Sequence, residues 1–265
     1  MNGDDAMVRL GIRTIVGAMF LCVSLHGAMA APFQNLDFEE AFFVEPESGD
    51  FSVLASEALP HWTVFRGGAV PTEIVYNTMA LDAPCISIHD GKASQSSGCL
   101  NPLQGTYSVM LQSGSRYAEQ EQAGSTGVSI FQIGDIPTNA RSIQFLSDMM
   151  PVYPYEENGL SGFEVSVGGS VIPLMVHSVG TEVNTGRRPV YTYAGDISGF
   201  AGQTNVSLAF TTTLFLDSVT VVDLDAIVFS TEEAPEPSAM ILLGTAALGI
   251  LAYSWRSRTY RKTEG

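Results

Sequence analysis

The side chains that could do chemistry are few in this chain and far apart. His61, His89 and His177 stand isolated in the body of the sequence. Such histidines are expected at the surface or in turns. No His-Glu-x-x-His pair occurs, so no zinc-peptidase helix is encoded. No Gly-x-Ser-x-Gly elbow occurs either, so Ser, His and Asp are present without the turn that exposes a nucleophile. Paired carboxylates such as Glu156 and Glu157 could serve a glycosidase. Adjacent residues on a strand face opposite sides, and in a loop both are solvated. We therefore expect no enzyme.

Recognition is better provided for than catalysis. An aromatic ring left in solvent can stack on a sugar face. Trp62, Tyr76, Tyr107, Tyr191 and Tyr193 are candidates, but a ring in a β-sandwich usually packs inside with its polar tip satisfied. Trp62 in particular is expected to be buried. Residues 151–155 (PVYPY) differ, because two rings on a proline-stiffened loop need not be core. Tyr153 and Tyr155 are thus the expected ligand platform.

Both ends of the chain read as addresses. Residues 7–30 carry Arg9 and Arg13, then an apolar run over 15–25, then Ala28-Met29-Ala30. That order is a secretory signal peptide, with signal peptidase expected to cut after Ala30. Asp4 and Asp5 sit badly in a positive leader, which makes Met7 the expected start. The far end runs Pro235-Glu236-Pro237, then an uncharged apolar stretch of 18 residues over 238–255, then Arg256, Arg258, Arg261 and Lys262. Eighteen apolar residues are just enough to span a bilayer as a helix. The basic cluster places its far end in the cytoplasm. The prolines stop the helix and leave extended backbone that a peptidase can grip.

The region between, residues 31–237, has six basic and 25 acidic residues, a net charge of −19. Such a surface repels phosphate backbones, so no nucleic-acid partner is expected. With Cys22 removed in the leader, Cys85 and Cys99 remain, and an even count in an exported chain favours one disulfide. It would close a Ser/Gly-rich loop and stabilise the fold by roughly 3 kcal/mol. A Cys/His zinc site with His89 is the rival, short of a full ligand set.

The secondary structure reads as strands and turns. Residues 128–134, 142–149, 162–169 and 206–212 alternate with period two, and 218–229 forms a longer run. Gly168-Gly169 suits a hairpin turn. The expectation is an all-β chain: signal peptide 1–30, β-sandwich 31–230, linker 231–237, transmembrane helix 238–255 and basic tail 256–265.

Two resemblances sharpen this. The ordered set of Pro235-Glu236-Pro237, a short Gly/Ala/Leu helix and an Arg cluster resembles the PEP-CTERM sorting signal. That implies processing by exosortase, a membrane-embedded peptidase, at the inner membrane, and a link to exopolysaccharide and biofilm matrix. The residue before the motif is Ala234, where Val is usual. The body resembles galactose-binding-like jelly rolls, many of them carbohydrate-binding modules. It carries Asn35-x-x-Phe38-Glu39, Pro60-His61-Trp62, Gly105-Thr106-Tyr107-Ser108-Val109 and Leu224-Asp225-Ala226-Ile227-Val228. The resemblance implies a structural calcium between the first and last strands, held by Glu39 and Asp225 and less directly by Asp37. No other cofactor is expected. Ala226 replaces the second Asp common in that last strand. The implied role is a non-catalytic cell-surface or matrix protein, or else a module docking on exopolysaccharide.

Overall fold

The computed structural model describes residues 31–47, 51–78, 84–92, 101–114, 127–148, 150–152, 162–179, 190–213 and 219–234. The leader 1–30, Cys99, Tyr153, Tyr155, residues 156–157 and the motif from Pro235 onward lie outside them. No helix long and apolar enough to cross a membrane occurs among the described residues, and the apolar run 238–255 is not among those.

Alternation builds the strands. In β6 (Val128–Gly134) Val128, Ile130 and Gln132 point inward, while Ser129, Phe131 and Ile133 point outward. In β13 (Val206–Thr212) Val206, Leu208 and Phe210 point inward. These two strands pair antiparallel over all seven residues. The smaller sheet runs β10 (Ser170–Val171), β9 (Phe163–Val167), β13, β6, β2 (Thr63–Arg66). Gly168 and Gly169 make the β9–β10 hairpin, both at positive φ, as the turn requires.

The larger sheet has nine strands. Its order is β1 (Ser52–Leu54), β3 (Glu73–Tyr76), β4 (Cys85–His89), β5 (Ser108–Ser113), β14 (Val219–Ser230), β7 (Ser142–Ser147), β12 (Tyr191–Asp196), β11 (Leu174–Val179). The short β8 (Met150–Val152) pairs with β14 beyond the end of β7. One helical turn, α1 (Ala55–Ala58), follows β1. The chain is an all-β sandwich, as expected. Where the sequence suggested a Ser/Gly loop from Cys85 on, residues 85–89 form a fully buried strand instead.

The core lies between the sheets. Phe210, fully buried, meets Trp62 at 6.2 Å, Phe145 at 5.4 Å and Phe163 at 6.4 Å between ring centroids. Trp62 is buried, as expected, and its indole N–H donates to the Asn35 carbonyl at 2.9 Å. Tyr193 stacks on Phe145 from the large sheet. Four elements therefore meet at one ring. Phe210→Ala should lower unfolding stability by about 3–5 kcal/mol, read as an earlier urea midpoint. A loss below about 1 kcal/mol would mean the cluster is not the core.

Candidate functional site

The first segment is a string of turns, tied down by its own polar groups. Asn35, at φ 48, donates its amide N–H to the Pro60 carbonyl and accepts the Glu40 N–H at its side-chain oxygen. Phe38, at φ 60, is buried against Trp62. That backbone is uncommon for a bulky residue, and it holds here because the ring is packed. The turn aims Glu39 at the loop before β5. Glu39 Oε1 accepts the backbone N–H of Thr106 at 2.6 Å and of Tyr107 at 3.1 Å. Gly105, at φ 61, makes this possible, since a Cβ there would overlap Glu39 Oε1.

Asp225 reaches the same loop from the other side. A bulge in β14 between Asp225 and Val228 puts Ala226 at φ 48 and lets Ile227 donate its N–H to the Leu36 carbonyl. Asp225 is buried. Its Oδ2 accepts from the Gln104 N–H at 2.8 Å and the Ser108 hydroxyl at 2.7 Å, and its Oδ1 accepts the Ala226 N–H. Burial pushes its carboxyl up to about 7; these bonds pull down, and the Glu39 carboxylate pushes up. The structure thus brings Glu39 and Asp225 together around residues 104–108. Asp37 is exposed and accepts the Glu39 N–H at 3.4 Å in its own turn.

Calcium needs six to eight oxygens. Glu39 and Asp225 offer two carboxylates, with Glu39 Oε2 outside the hydrogen bonds. Backbone carbonyls would have to supply the rest. No cluster of three or more acidic, His or Cys residues able to hold a metal occurs among the described residues. Three of their four oxygens accept hydrogen bonds, so Glu39 Oε2 is the one left open toward a cation.

His89, Ser108 and Asp225 stand in one row across β4, β5 and β14. Ser108 is in the middle: its hydroxyl donates to Asp225 at 2.7 Å and accepts the Leu103 N–H at 2.6 Å, and the His89 ring makes no hydrogen bond to it.

The outer face of the large sheet is the feature that sequence reasoning missed. Ile86, Ile88, Val109, Leu111, Val222 and Leu224 face the core. The alternate positions Ser87, His89, Met110, Gln112, Asp223 and Asp225 therefore face away from it, yet all are buried. The β14–β7 register, carried one step past Leu224–Ser147, sets Asp223 opposite Asp148, also buried. The Ser87 hydroxyl and both ring nitrogens of His89 make no hydrogen bond. Burial lowers the His89 imidazole to about 4, against a small upward pull from Asp90. His89 was expected at the surface; the strand CISIH, covered on both faces, puts it inside. His61 and His177 are exposed, as expected, and His61 meets Glu40 at 3.1 Å.

Beside this face, Asp90 gathers donors from Tyr76 (2.7 Å), the Asn77 amide (2.6 Å), the Lys92 N–H (2.9 Å) and the Lys92 ammonium (3.1 Å). Burial alone would raise the Asp90 carboxyl; the bonds from Asn77, Tyr76 and Lys92 win and lower it. Burial and Asp90 together raise the Tyr76 phenol. Phe43 packs on both Tyr76 and Tyr107. These rings are structural neighbours, held in a satisfied network. Cys85 is buried at the start of β4.

Two buried groups give opposite pH slopes. The folded Asp225 carboxyl lies above its ordinary 3.8, so its contribution is full below pH 4 and is lost as pH rises to about 7. The folded His89 imidazole lies below its ordinary 6.5, so its contribution is full above that pH and is lost as pH falls to about 4. Each is worth on the order of 3 kcal/mol over its window. In calcium-free buffer the two nearly cancel between pH 4 and 6.5. Asp225→Asn should leave stability rising with pH there, and His89→Gln should leave it falling. Urea midpoints that follow one profile in all three proteins would refute the assignment.

Comparison with known proteins adds the following. No curated protein sequence matches the chain. Among solved structures, a cyclase from Fischerella sp. TAU is 16% identical, with 75% of this chain and 94% of that chain covered and a TM-score of 0.37. A Stig cyclase of the same organism, in complex with a pyrrolidinylidene-indole, is 14% identical, with 74% and 96% covered and a TM-score of 0.38. The enzymatically active domain of tailspike protein 4 of bacteriophage CBA120 is 12% identical, with 64% of this chain and 20% of that chain covered and a TM-score of 0.29. Residues 233–258 match the family model of the PEP-CTERM protein-sorting motif. That motif is the recognition signal for exosortase and implies export, with membrane-anchored sorting before processing.

Proposed function

We propose that the chain is a non-catalytic structural or adhesive protein of the cell surface or exopolysaccharide matrix. Signal peptidase removes the leader, the apolar run holds the product in the inner membrane, and exosortase processes it at the motif. The observation that carries this reading is the motif match at residues 233–258, directly behind a folded all-β body. Replacing Pro235 and Pro237 by Ala in the host should trap, in the inner membrane, a leaderless form that keeps its C-terminal tail. Unchanged processing and release would count against exosortase as the processing enzyme.

The second reading is a carbohydrate-binding module. It is supported by the resemblance of the body to galactose-binding-like jelly rolls. Tyr153 and Tyr155, two rings on a proline-stiffened loop, are the candidates for stacking on the sugar. Calcium, if bound, would be held by Glu39 and Asp225 and would strap the first segment to the last strand, away from the sugar. A disulfide between Cys85 and Cys99 would close the loop that follows β4.

The protein should bind the host's own exopolysaccharide saturably in calorimetry, and Tyr153→Ala and Tyr155→Ala should weaken that binding. Calcium should raise the melting temperature, and Glu39→Gln should abolish the rise. No heat of binding at any calcium level would exclude the carbohydrate reading and leave the structural one.

A further inference from the structure

The two addresses of this chain leave the sandwich at one place. On the N-terminal side, the Ala31 carbonyl accepts the Asp135 N–H at 3.1 Å, and Pro32 bridges to Asp135. On the C-terminal side, the Ser230 carbonyl accepts the Arg141 N–H at 2.8 Å. The Glu232 carbonyl accepts the Ser142 hydroxyl at 2.8 Å, and Glu233 pairs with Arg141 at 2.5 Å. Both boundaries are thus pinned to one loop, residues 135–142. The turn 198–205 is bound to that loop through Gly202 N–H to Pro137 O and Ile136 N–H to Gln203 O.

We infer that this end of the sandwich, built from residues 135–142, 198–205 and 230–234, faces the bilayer surface while the chain is tethered. The inference rests on the sorting reading above. Glu232 is held to the body, and the apolar run begins at Ser238. Six residues reach at most about 20 Å, about the length of β6, so this end stays nearest the membrane unless the tether is drawn out fully along the body.

The exposed residues 137–139, 198–199 and 202–205 of this end carry no charge. Around them stand Asp135, Asp196, Glu232 and Glu233 against Arg141, which pairs with Glu233. An acidic surface is repelled by anionic lipid, so the short tether and not charge sets the orientation.

The test uses the full chain in phosphatidylethanolamine–phosphatidylglycerol vesicles doped with a headgroup-nitroxide lipid. A fluorophore is placed through an encoded azide residue at Asn139, at Gln203, or at Ala69 in the turn after β2. Ala69 lies at the far end of the sandwich, about 20 Å away along β6. Loss of fluorescence at Asn139 and Gln203, with Ala69 spared, is the expected result. Equal quenching at all three sites, in a chain that resists alkaline carbonate, would overturn the orientation and leave the sorting reading standing. A chain that carbonate washes off the vesicles would overturn both.

Discussion

A carboxylate taken out of water in the longest strand sets the terms for the rest of this sandwich. Asp225 can be buried only if donors come to it, and three do: the Gln104 N–H, the Ser108 hydroxyl and the Ala226 N–H. The first two fix the loop before β5 against β14. The third comes with the bulge, which turns the Ile227 N–H toward the Leu36 carbonyl and draws the first segment onto the last strand. Glu39 then closes the ring by taking the two N–H groups on the other side of the same loop. Two remote segments and a loop are joined by acids that would repel each other without the donors between them.

That economy spends three of the four carboxylate oxygens of Glu39 and Asp225 on hydrogen bonds and leaves Glu39 Oε2 over. Ser108, in line with Asp225, donates its hydroxyl to that carboxylate. Further unspent polarity is elsewhere, on the outer face of the large sheet. There β4 and β5 are buried on both sides, and Ser87 and His89 keep their hydrogen-bonding capacity unused. Satisfied and unsatisfied polarity therefore meet at the end of one strand: the side chains of Ser87 and His89 on β4 make no hydrogen bond, and Asp90, the next residue, is held by the Tyr76 and Asn77 bonds.

The strands with strict alternation were legible. The patterns at 128–134 and 206–212 are β6 and β13 to the residue, because one face packs and the other is partly wet. β4 was not, because both of its faces are buried and its polar residues Ser87 and His89 break the apolar run that such a strand usually shows. β1 and β10 exist only through their neighbours' hydrogen bonds and are too short to carry a period. For the site, Glu39 and Asp225 were reachable only through resemblance. Gln104, Thr106 and Tyr107 were beyond reach, since they contribute backbone N–H groups that any residue type could supply. Gly105 left a signal, as the position where only a missing Cβ admits the Glu39 carboxylate.

The same ring of contacts bears on how such a body can be delivered. A chain anchored at its end must keep its last strand folded while the residues just beyond it are processed. β14 is the strand best able to do so: it pairs with β5, β7 and β8, and its bulge is bolted to the first segment. Only four residues separate Ser230 from Pro235. A loosely paired terminal strand would fray at that distance, exposing edge N–H and C=O groups to neighbouring chains. A strand buried between two partners does not fray, so the motif can sit close to the body. The buried Asp225, costly in isolation, is what joins the loop and the first segment to that strand.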